Sequence, residues 1–181
     1  MEIEKVKKAT IADLASIITD LKNIRFEEKL SYKFNTKDLQ KPQSVEDFLH
    51  NIKKQINHKK FKYIYTFFLQ NDFPVDSLYN RYKNAKESKK SERAYARLNG
   101  KSHCLYVGSS KGRIPRIKLH LGFGPKGTYA MQLCYWCENL DLDITLNIYA
   151  FGNGIGINAF QAFEDGAWSS LKPMLGRQGK R

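Results

Sequence analysis

An α+β fold follows from three features of the sequence. Three stretches, 60–70, 102–109 and 142–151, are rich in β-branched and aromatic residues or alternate apolar with polar ones, as strands do. The segments between and after them carry apolar residues at the three-to-four spacing of helices. Two further amphipathic stretches precede the first strand, in a part of the chain whose charges cancel. The prediction is a small three-stranded sheet flanked by helices over residues 59–181, preceded by an N-terminal helical arm over 1–58.

Residues 9–24 open the arm as a helix, with Ile11, Leu14, Ile17, Ile18 and Leu21 on one face. Residues 29–43 are polar and irregular up to Pro42. Ser44, with Asp47 three positions on, has the form of a helix cap, and Val45, Phe48, Leu49, Ile52 and Ile56 supply the apolar side of the helix that follows. The first strand, 60–70, ends at a turn around Pro74. A helix is expected over 76–98, stopping before Asn99-Gly100. On it Lys83, Lys86, Lys90, Arg93 and Arg97 recur at spacings of three and four, a stripe able to follow a phosphate backbone. With its flanks this forms a basic helical insertion at about 75–99.

The stretch 105–120 draws the most attention. An apolar strand breaks at Gly108, a basic loop with Lys111 and Arg113 follows, and a helix over 114–122 starts with Pro115 in its first turn. Arg116 and His120 lie four apart and share a helical face. A tyrosine at a strand end, a glycine turn, and a cation with an imidazole on the next helix suit the handling of a phosphate. A helix from Thr128 through 139, the third strand, the glycine-rich link 152–156 and a last helix over 158–171 complete the series. The tail from Lys172 is basic and read as extended, with Arg177 among its cations. On the last helix Glu164 is four residues from both Phe160 and Trp168, on the packed face or its edge. Burial of a carboxylate there calls for a partner: Arg116, His120 or a divalent metal.

Composition narrows the function. The net charge is +13; residues 51–100 hold twelve basic against four acidic side chains and residues 101–181 ten against five, so the basic field belongs to the last two thirds. A polyanion is the natural partner, nucleic acid first. No apolar run approaches the ~20 residues of a membrane span. Three cysteines without framework spacing, and an N-terminus without a signal-peptide core, point to a cytoplasmic protein. Cys134 and Cys137 form a C-x-x-C, but four convergent zinc ligands are not in view, so inert buried thiols are expected.

In order and spacing, these residues resemble the GIY-YIG nuclease superfamily. Tyr106-Val107-Gly108 is similar to the second half of that name, and Tyr63-Ile64-Tyr65 to the first, with Tyr65 or Tyr63 as the counterpart tyrosine. Arg116 and His120 resemble the family's R-x-x-x-H helix, and Glu164 its metal-binding glutamate. The resemblance covers roughly residues 60–180. It departs from the family after the last helix, where an asparagine is usual and this chain offers Arg177 or Gln178. The resemblance implies an antiparallel sheet and a metal-dependent endonuclease acting on DNA, with RNA open as the alternative polyanion. It implies Mg²⁺ or Mn²⁺ on Glu164, and Tyr65, Tyr106, Arg116 and His120 as catalytic residues. A homodimer is compatible with cutting both strands.

Overall fold

The structure is a computed structural model that describes residues 1–57, 59–70, 73–110 and 114–179; of Ser110 and Ile114 only the backbone is considered. The chain folds around an antiparallel sheet of four strands, β1 (Phe26–Asn35), β2 (Phe61–Leu69), β3 (Cys104–Ser110) and β4 (Asp143–Gly152), in the order β1-β4-β2-β3. The sequence points to three strands, so β1 is a correction. Its stretch is rich in charge, yet Leu30, Tyr32 and Phe34 alternate with Lys29, Ser31 and Lys33, and only the apolar set packs onto the main core. That is the signature of an edge strand with one buried face. Residues 1–58 therefore do not form a purely helical arm, because β1 pairs with β4 along its length.

Helices cover both faces. Helix α1 (Ile3–Lys22) buries no residue fully; its Ile17 and Leu21 lean on the same face as α6 (Ile157–Leu171). There Ala159 and Phe160 pack on Ile64, Val107 and Phe151. The opposite face holds Tyr63, Tyr65 and Phe67 of β2, together with Leu146 and Ile148 of β4. Against it lie α2 (Pro42–Gln55), α3 (Val75–Glu87), α4 (Ile114–Leu121) and the short α5 (Leu133–Trp136). Helix α2 starts at Pro42, a residue suited to a first turn, so Ser44 lies inside the helix and does not cap it.

Two expected helices are shorter than their patterns. The helix expected over 76–98 ends at Glu87, where Lys89, Ser91 and Glu92 take left-handed φ values of +48°, +57° and +57°. Lys90 sits in a 3₁₀ turn, and the chain then runs extended, bridging Tyr95 to Ala130 and Leu98 to Leu175. The helix expected over 128–139 shrinks to α5 because Gln132, at φ +60°, cannot continue one; its side-chain Nε2 donates to the carbonyls of Ala94 and Thr128.

The tail is built into the fold. Met174 and Leu175 are fully buried, and their amides donate to the carbonyls of Cys104 and Leu105. Asn99 holds this segment: its amide nitrogen Nδ2 donates to the carbonyls of Pro173 at 3.1 Å and Gly176 at 3.0 Å. Asn99→Ala is expected to cost roughly 1–3 kcal/mol of stability by stripping two part-buried carbonyls of their donor. Urea unfolding measures this, and an unchanged midpoint would show that the tail is held without it. No helix among the described residues is long and apolar enough to cross a membrane.

Candidate active site at a cation-lined cleft

The site forms where β2, β3 and α4 meet. Antiparallel pairing sets Tyr65 opposite Gly108, and Tyr106 lies two residues before Gly108 on the same strand. The two tyrosine rings are nearly parallel, with centroids 6.2 Å apart, and the His120 ring tilts over Tyr106 at 4.0 Å. Only glycine fits at 108. A Cβ there would stand 2.8 Å from both Tyr65 Oη and Tyr106 Cε1. Gly176, at φ +105°, backs the other edge of the Tyr106 ring. Tyr63, the alternative first tyrosine, lies away from this group and accepts a hydrogen bond from the Asn57 amide at 2.8 Å.

His120 is fully buried, and its tautomer follows from its neighbours. The Met131 amide donates to Nδ1 at 3.4 Å, so the ring proton sits on Nε2, 3.3 Å from Tyr65 Oη. Burial, with Arg116 adding repulsion, holds the imidazole neutral well below its ordinary range. In the unfolded chain the same ring ionises near pH 6.5, so below that point the unfolded state binds more protons. Folding stability is therefore expected to fall with pH below about 6.5, by about 1.4 kcal/mol per pH unit while the folded ring stays neutral. The Glu164 carboxyl, raised by burial, acts with the opposite sign, from the ordinary carboxylate value upward. Unfolding of wild-type and His120→Gln at about pH 7.5 and 5.5 tests this: a variant with the same pH slope would clear His120.

Arg116 is half-buried. It lies beside the hydroxyls of Tyr106 and Tyr65, which interact with its charge, and its Nη2 donates to the Tyr129 carbonyl at 3.2 Å. Burial works against its charge, but the two hydroxyls outweigh that and hold it above arginine's ordinary value. Tyr65, wholly enclosed, has its pKa pushed well up by burial; Tyr106 is pushed up too, with Arg116 pulling back. Both phenols are protonated at neutral pH. They can therefore accept from Arg116 and orient a water, but neither is a ready base.

Beside this group opens a cleft of about 580 Å³. Lys86, Arg97, Arg116 and Arg177 line it with Tyr95, Tyr106 and Tyr129, and among the described residues no carboxylate lines it. Burial lowers the Lys86 pKa, and the nearby Arg177 and Arg97 lower it further. Cations crowded without a counter-charge favour an anionic ligand. The stripe read from the sequence is thus divided. Lys86 and Arg97 reach the cleft, whereas Lys83 pairs with Glu87 at 3.9 Å and Lys90 with Glu138 at 3.0 Å. Arg93 donates to the Gly124 carbonyl and lies over the Tyr135 ring. The stripe breaks because its backbone stops being helical after Glu87. Lys111 and Arg113 lie outside the described residues.

Glu164, on α6, pairs with neither Arg116 nor His120. Its Oε1 accepts from the Ser109 amide at 2.9 Å and its Oε2 from Gln161 at 3.2 Å. Burial raises its pKa, and these hydrogen bonds offset the rise only in part. A hard carboxylate short of positive charge is a fitting ligand for a divalent cation, and Mg²⁺ often takes one or two protein carboxylates with water and phosphate completing its shell. Among the described residues, no three His, Cys, Asp or Glu side chains converge as a ready-made metal cage. Of the two candidates after α6, Arg177 faces the cleft, while Gln178 donates to Ser169 Oγ and the Asp165 carbonyl. The thiols are unreactive by environment: burial pushes Cys104 to about 12 and Cys134 to about 11.

Gly176, Asn99, Tyr95 and Tyr129 escape the sequence reading, because each reaches the site only through tertiary packing. Comparison of the chain with family models, with curated proteins and with solved structures yields no match.

Proposed function

We propose that this protein is a divalent-metal-dependent endonuclease of the GIY-YIG kind that hydrolyses phosphodiester bonds in DNA. One observation carries the reading: Tyr65, Tyr106, Arg116 and His120, picked out by motif and spacing, meet at the wall of a cleft that Lys86, Arg97, Arg116 and Arg177 line. In this reading Lys86, Arg97 and Arg177 hold the nucleic-acid backbone and Arg116 faces the scissile phosphate. The guanidinium fork suits phosphoryl oxygens as charge builds on them. Tyr106, at the cleft wall, orients the attacking water. Tyr65 sits behind it, held by His120 Nε2–H, and fixes the direction of Arg116. Glu164 would hold Mg²⁺ or Mn²⁺, which when bound supplies Lewis-acid stabilisation of the leaving oxygen.

A second reading, a nucleic-acid-binding module without cleavage, draws on the lack of a ready-made metal cage among the described residues and on Arg177 or Gln178 standing where the family has its asparagine. Plasmid nicking in Mg²⁺ or Mn²⁺, against a chelator control and Glu164→Ala, separates the two. Metal-dependent cutting that the variant loses is expected. Tight, salt-sensitive binding without cutting would replace the nuclease by the binding module.

A further inference from the structure

We propose that the cleft takes an unpaired nucleotide, whose base stacks on Tyr129 while its flanking phosphates lie on Lys86, Arg97 and Arg177. The inference rests on the nucleic-acid reading above and narrows its substrate to DNA with a single-stranded element: a flap, a gap or a frayed end.

Tyr129 is 69% exposed, the most exposed aromatic side chain among the described residues, yet its backbone is firmly held. The Ala130 carbonyl accepts from the Ala96 amide at 2.9 Å, the Met131 amide is tied to His120, and the Tyr129 carbonyl takes Arg116 Nη2. The Thr128 carbonyl accepts from Gln132. An exposed ring on a fixed backbone can bind a flat partner with little further loss of freedom. Its neighbours in the cleft are cations and the more buried tyrosines Tyr95 and Tyr106. An aromatic platform set among cations is how single strands are gripped, since every base has a π-face and every linkage a charge. A duplex hides those faces inside its stack and shows a protein only base edges and phosphates. A concave space of about 580 Å³ is on the scale of a small-molecule pocket, with room for a nucleotide unit and none for a helix of two strands.

The test uses the full chain, a chelator to prevent cutting, and two fluorescent DNA probes: a fully paired duplex and the same duplex with a short flap containing 2-aminopurine. The flapped probe is expected to bind more tightly, with a change in 2-aminopurine emission. Tyr129→Ala should weaken flap binding by roughly 5- to 100-fold, the cost of one base–aromatic stack, and abolish the emission change. Tyr129→Trp should keep both. Equal affinity of wild-type for the two probes, or an unchanged Tyr129→Ala, would overturn the inference. Metal-dependent cutting of paired plasmid without flap preference leaves the nuclease reading standing and removes this one. A Tyr129-dependent emission change in a protein that never cuts does the reverse.

Discussion

Arg116→Ala is expected to lower metal-dependent cleavage by roughly 10²–10³-fold, the usual loss when one donor to a developing negative charge is removed. DNA binding should change far less, because Lys86, Arg97 and Arg177 remain in the cleft. The Tyr129 carbonyl accepts from the guanidinium at 3.2 Å and two tyrosine hydroxyls lie beside it, so its direction is set before any phosphate arrives. Arg116→Lys should not rescue cleavage, since a point charge cannot reproduce the fork. Single-turnover cleavage beside a direct binding titration gives both quantities. Cutting by Arg116→Ala at the wild-type rate would remove this residue from the chemistry.

Gly108→Ala should be the most damaging small substitution in the sheet. The added methyl would stand 2.8 Å from Tyr65 Oη and Tyr106 Cε1 and 2.9 Å from Tyr65 Cζ. Neither ring has room to yield. Tyr65 is 2% exposed, and Tyr106 is backed by Gly176. Overpacking of this kind costs roughly 1–3 kcal/mol, which for a chain of this size lowers Tm by about 2–12 °C. Cleavage should fall as well, because the hydroxyls that orient Arg116 are pushed aside. Gly100→Ala is the control, since nothing lies within 4 Å of the position its methyl would take. If calorimetry gives the two variants the same Tm, the tyrosine pair is softer than its packing implies.

What the sequence made legible was local. Strand β2 announces itself because Tyr63, Ile64, Tyr65 and Phe67 suit no other half-buried element, and Arg116 and His120 are paired by one turn of helix. Edge strand β1 was hidden because its lysines and glutamates look like a loop when no partner is in view. The 76–98 helix was overextended because its basic residues keep helical spacing past Glu87, where the backbone does not. Periodicity placed Glu164 at the edge of a packed face, and it is half-buried there, but its partners, Ser109 and Gln161, could not be read from spacing. The cleft itself was illegible. Beside Tyr106 and Arg116, its walls come from α3, the extended segment around Arg97, the loop at Tyr129 and the tail, which meet only when the sheet has formed.

Sheet order also decides when the cleft can form during synthesis. The strand that joins the two halves of the sheet, β4, is the last of the four to leave the ribosome, and β1 has no neighbour until it appears. Both tyrosines and Arg116 are made well before that, but the wall bearing Gly176 and Arg177 follows later still. A chain caught part-way through translation thus carries Tyr65, Tyr106 and Arg116 without the completed cleft beside them. The order of the strands leaves that cleft unfinished until the segment bearing Gly176 and Arg177 has been made.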